Sequence, residues 1–219
     1  MADDLTLGAR GYAPAREIST AGLLGQVLFL VAVAIGFLAA GSVIGRDLSQ
    51  GAALAFTFGG FGMLLVASFG GERFRVGSFA MGWLFATALV IGLGLGPALE
   101  HYVSADATAF TQAVAGTALT VVLCGCAGLI IARDLARWMR PVALIVFVAA
   151  LASWVLVIVS SELSPILSLV IYGFSALLLV IDFNYLRRHG TESDVIWLAT
   201  GIFVSIVNIF LSLLNLFSE

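Results

Sequence analysis

An all-α integral membrane fold of seven transmembrane helices is what this sequence predicts, and three observations predict it. Of its 219 residues, 61% are hydrophobic and 11% charged, against about 25% charged in an ordinary soluble domain. The mean hydropathy is +1.12, and a soluble domain of this length could not hide that much apolar surface. The chain also divides into seven apolar stretches, each near the ~20 residues that a bilayer-spanning helix needs. Finally, arginine recurs in alternate links between them. Composition excludes a cytosolic enzyme, a disulfide scaffold and a disordered chain. The net charge of −3 offers no basic surface to nucleic acid.

Taken in order, the spans run Ser19–Gly45, Gly51–Gly70, Val76–Pro97, Ala107–Ala132, Pro141–Ser160, Pro165–Phe183 and Val195–Phe217. Pro141 and Pro165 each open a span, where a missing N–H costs nothing. Pro97 is expected to close one, since the residue before a proline resists helical geometry. Residues 1–18 read as a polar tail too short to fold alone, and 19–217 as a single membrane domain. The first apolar run starts late and is too long for the core of a cleaved signal peptide, so the first span is expected to be retained. Cys124 and Cys126 lie inside the fourth span, a C-x-C pair too close for a relaxed disulfide and best read as small packing residues.

Positive charge stays in the cytoplasm. With the N-terminus inside, the inner segments hold Arg10, Arg16, Arg73, Arg75, Arg133, Arg137, Arg140, Arg187 and Arg188, and the outer ones only Arg46. The expected topology is N-terminus in, C-terminus out. Short loops and the want of a cytoplasmic C-terminal tail point to a bacterial plasma membrane.

Charge inside a bilayer is costly, so each instance is a candidate for function. Asp182 is the one acidic residue within a span. It is expected ~26 Å along the sixth helix at 1.5 Å per residue, near its cytoplasmic end. Ser168, Tyr172, Ser175 and Asp182 share a helical face, and on the seventh helix so do Gly201, Ser205, Asn208, Ser212 and Asn215. Asp182, Ser205, Asn208, Ser175 and Tyr172 are therefore the candidate ion-pathway and pH-sensing residues. The alternative is that the polar groups only bond neighbouring helices, at ~0.6 kcal/mol each, with Asp182 paired to Arg187 or Arg188. Gly41-x-x-x-Gly45 and Gly92-x-x-x-Gly96 read as close helix contacts.

Several functions are excluded. Retinal needs a Schiff-base lysine, and the chain has no Lys. A serine protease needs a base beside its serine, but His101 and His189 are expected in loops on opposite sides of the membrane. An aspartyl protease needs two buried aspartates. Haem ligands in the spans and a metal-ligand cluster are both lacking, so neither a cofactor nor enzymatic activity is expected.

Four segments resemble the Bax inhibitor-1 (transmembrane Bax inhibitor motif) family, in particular its bacterial YccA-like branch. They are Gly94-Leu95-Gly96-Pro97-Ala98-Leu99-Glu100-His101-Tyr102, Ala113-Val114-Ala115-Gly116-Thr117-Ala118-Leu119, Arg133-Asp134-Leu135 and Ser205-Ile206-Val207-Asn208-Ile209-Phe210-Leu211-Ser212-Leu213-Leu214. The last is the most specific. The resemblance implies a central seventh helix with six around it. It also implies a pair of aspartates, on the sixth and seventh helices, that gates a Ca2+ or H+ leak in some members. Asp182 matches the first; the second position is Ser205, as in YccA-like proteins. Two carboxylates in one site share a proton and sense pH, and a carboxylate opposite a serine loses that repulsion. The family's arginine at the end of the second helix is not cleanly matched, because Gly70-Gly71 stand before Glu72 and Arg73. YccA-like proteins resemble clients and modulators of an FtsH-type AAA membrane protease. That makes the first expectation a role in membrane-protein quality control, with the tail as the protease's handle. The alternative is a pH-sensitive Ca2+ or cation leak through Asp182.

Overall fold

A computed structural model describes residues 19–160 and 164–218. Seven long helices are present: α1 (Thr20–Gly45), α2 (Gln50–Phe69), α3 (Gly77–Ala105), α4 (Ala107–Ile130), α5 (Met139–Ser160), α6 (Pro165–His189) and α7 (Val195–Phe217). All are long and apolar enough to cross a membrane. The expected tail at 1–18 lies outside the described residues.

The helix ends are set locally. Ser19 and Ser49 accept from the backbone N–H groups of Gly22 and Ala52 to start α1 and α2. Asp106 separates α3 from α4, its carboxylate accepting from Thr108 and Ala109 N–H at 3.1 and 2.9 Å. Before α7, Thr191 and Asp194 close a capping box around a short 3-10 turn.

Four expectations from the sequence are corrected. Pro97 does not end α3, which runs on to Ala105. The Leu93 carbonyl, deprived of the Pro97 N–H, lies where any side chain on Gly45 of α1 would fall; close packing by neighbours is how membrane helices absorb a proline. Met139, not Pro141, opens α5, so Pro141 sits in the first turn, where backbone N–H groups have no intrahelical partner anyway. The α6 helix continues six residues beyond Phe183 to His189. Asp182 therefore has ~10 Å of helix beyond it, and His101 and His189 stand in helix ends rather than in loops.

The α7 helix is the hub. Every residue from Val195 to Leu216 is buried or half-buried, and it packs on α1, α3, α4 and α6. A helix with no exposed residue over this length has no reason to be apolar all round, and so it can carry Ser205, Asn208, Ser212 and Asn215. The outer helices instead expose large apolar side chains such as Phe29, Leu119, Leu144 and Ile166, as helices bathed in lipid should. The most extensive contact is α1 with α3. There Gly92 lies so close that a methyl group would sit on the Leu38 carbonyl, as the paired Gly-x-x-x-Gly spacings predict. Alternating directions bring Arg73, Arg75, Arg133, Arg137, Arg140, Arg187 and Arg188 to one end of the bundle and Arg46 to the other.

Candidate functional site

The polar face of α6 is divided between two neighbouring helices and a cavity. Near its start, Ser168 Oγ accepts from Asn215 Nδ2 of α7 at 3.0 Å. Tyr172 turns to α4, where its hydroxyl shares a 3.2 Å hydrogen bond with Thr120 Oγ1. Ser175 is fully enclosed, its Oγ without a partner. Only Asp182, at 4% exposure, reaches a cavity.

That cavity has a volume of about 340 Å³ and lies between α2 and α5, over α7. At ~30 Å³ per molecule it has room for about eleven waters. The α2 helix packs on α3 and the α5 helix on α6, and the space left between them is bridged by stacked Phe61 and Phe147, 5.1 Å apart. On the α7 side the wall includes Gly201, Ser205 and Asn208. Thr57 of α2 also lines it, though its hydroxyl donates to Ala53 O of its own helix at 2.9 Å. Most other lining side chains are apolar. The cavity reaches Ser68 and Arg75, both exposed, at the arginine-rich end.

Within it, Asp182 is short of partners. Its Oδ2 is buried and without a hydrogen bond, and a Cβ at Gly201 would stand 3.4 Å from that oxygen. The pairing with Arg187 or Arg188 left open by the sequence is not formed: among the described residues the ion pairs are Arg46–Asp47 and His189–Asp134. Arg187 is turned away, donating from Nη2 to Ile131 O at 2.6 Å. Ser205 Oγ is likewise enclosed and unpartnered. The residues of the α7 stripe thus separate along the axis. Ser205 and Asn208 line the cavity, while Asn215 bonds Ser168. A lone buried carboxylate is costly unless a proton, a cation or water meets it. Among the described residues no three His, Cys, Asp or Glu side chains gather, so a cation here would meet one carboxylate and no cage.

Two further features escaped the sequence reading. Arg75 stands at the cavity mouth, its guanidinium 5.8 Å from the ring centroid of Trp197. The resemblance implies an arginine at the end of α2, where the sequence reads Gly70-Gly71. The turn Gly71–Phe74, bracketed by Gly71 at φ +70 and Gly77 at φ +89, folds the chain back and delivers Arg75 instead. Asn184, fully buried one turn's fraction beyond Asp182, holds the α4–α5 link. Its Oδ1 accepts from Leu135 N–H at 3.0 Å, and its Nδ2 donates to Ile131 O at 3.0 Å and Gly128 O at 3.3 Å. Beside it, His189 Nε2 lies 2.9 Å from Asp134 Oδ2. The Ala136 N–H and then His189 hold the exposed Asp134 carboxyl below the ordinary carboxylate value. The Arg133-Asp134-Leu135 motif is therefore a link clamped to the end of α6.

A family model described as inhibitor of apoptosis-promoting Bax1 matches residues 20–219. No curated protein matches the chain.

Proposed function

We propose that this chain, which belongs to the Bax inhibitor-1 family, is a multi-pass membrane protein whose Asp182 cavity carries a slow leak of protons or Ca2+. The observation that supports this reading is an unpaired carboxylate, 4% exposed, in a cavity that reaches the arginine-rich end. By the positive-inside rule that end faces the cytoplasm, and a bacterial plasma membrane remains the proposed location. One carboxylate with a hydroxyl and an amide nearby suits transient passage better than tight binding, since Ca2+ takes six to eight oxygen ligands where it is held firmly. No bond-making step belongs to this reading.

A second reading is favoured by Ser205. It lines the same cavity as Asp182, at the position where leak-forming relatives are expected to carry their second aspartate. The YccA-like role, a client or modulator of an FtsH-type membrane protease, needs no carboxylate pair. The two readings part in liposomes loaded with a Ca2+ dye. The leak reading expects flux above empty liposomes, reduced severalfold in Asp182→Asn and made more strongly pH-dependent in Ser205→Asp. If no variant leaks at any pH from 6 to 8, the leak reading is wrong and the protease reading stands alone.

A further inference from the structure

The walls of the cavity say more about its occupant than its carboxylate does. Phe61, Phe74, Phe147, Trp197 and Phe203 all line it, together with Leu, Ile and Val side chains. A small hydrophilic cation gains little from such walls, because it must either keep its water or find several oxygens. An ammonium on a hydrocarbon body has the opposite needs: one carboxylate for the charge, aromatic faces around it, and apolar surface for the rest. Asp182 supplies the carboxylate, more than nine-tenths buried, with Oδ2 unpartnered. Gly201 packs against that carboxylate, where a Cβ would stand 3.4 Å from Oδ2. At about 340 Å³ the cavity falls at the small end of sites for organic ligands.

We propose that this cavity binds a lipophilic amine, with its ammonium against Asp182 and its hydrocarbon body among Phe61, Phe147, Phe203 and Val204. Arg75 stands at the aqueous mouth, over the Trp197 ring. The route for an amphiphile is from the bilayer between α2 and α5, past the stacked Phe61–Phe147 pair. An acid of the same shape finds a carboxylate where it needs a donor, and a neutral alcohol gains no charge pairing. The inference rests on the cavity and not on ion passage through it, so binding holds or fails independently of any leak.

The test uses the full chain in nanodiscs, with empty nanodiscs correcting for lipid partition, and three probes of one shape: 1-aminoadamantane, 1-adamantanol and adamantane-1-carboxylate. The amine is expected to bind wild type about tenfold or more tighter than the alcohol, the least a charge-assisted pair contributes, and the carboxylate weakest. In Asp182→Asn the amine's advantage should fall to within about twofold. Equal binding of amine and alcohol to wild type overturns the proposal. So does strongest binding by the carboxylate, which would assign the site to Arg75. An amine preference surviving in Asp182→Asn also overturns it. The comparison of the three probes on wild type stands even if the variant does not fold.

Discussion

Replacing Asn184 by Leu keeps the branched shape and removes three hydrogen bonds at once. Leu135 N–H loses its 3.0 Å acceptor and Gly128 O its 3.3 Å donor, while Ile131 O keeps the 2.6 Å bond from Arg187. Leaving one buried donor unsatisfied costs ~1–3 kcal/mol, and each ordinary bond lost contributes ~0.5–1.5. The sum is about 2–6 kcal/mol. At ~2–4 °C per kcal/mol for a chain of this size, the melting temperature in nanodiscs should fall by about 4–24 °C. The freed link should also become a trypsin site at Arg133 and Arg137, which the clamped link resists. Asn184→Asp keeps the acceptor for Leu135 but sets an anion against two carbonyl oxygens, so it should lose at least as much as Leu. A melting temperature within ~2 °C of wild type, with unchanged proteolysis, would refute the clamp.

Gly92→Leu places a side chain on the Leu38 backbone of α1, while at Gly36 nothing lies within 4 Å of an added Cβ. Overpacking costs ~1–3 kcal/mol or more, so Gly92→Leu should melt several degrees lower or fail to accumulate, and Gly36→Leu should stay within ~0.5 kcal/mol of wild type. The exposed Asp134 carboxyl is held below the ordinary carboxylate value by the Ala136 N–H and His189. Its contribution to docking the link is therefore complete above that ordinary value and is lost as pH falls through the lowered one. Tryptic cleavage after brief acid exposure should rise in wild type across that window, and in Asp134→Asn it should be raised already at neutral pH and flat.

The seven spans were legible because hydropathy and arginine alternation are one-dimensional signals: the bounds of α7 agree with the sequence at both ends, and those of α1 within a residue. The errors fell where tertiary packing outweighs local preference. Pro97 reads as a stop until the close approach of Gly45 is known. The end of α6 was set too early because Asp182, Asn184 and Arg187 look like interface residues, whereas two of the three are buried in protein. Periodicity groups Tyr172, Ser175 and Asp182 on one face of α6. It could not say that Thr120 on a different helix takes Tyr172, or that only the Asp182 end of the face meets a cavity. Arg75 was hidden by a 3-10 turn whose direction depends on two glycines at positive φ.

Asp182 and Asn208 share a cavity that reaches the arginine-rich end, and thiol accessibility measures that opening. With Cys124 and Cys126 replaced by Ala, Asn208→Cys and Tyr172→Cys would be treated from either side of the membrane with an impermeant thiol reagent. Asn208→Cys should label from the arginine-rich side alone, and Tyr172→Cys, packed toward α4, from neither. An Asn208→Cys that labels only from the opposite side, or from neither while its fold is intact, would contradict the claim.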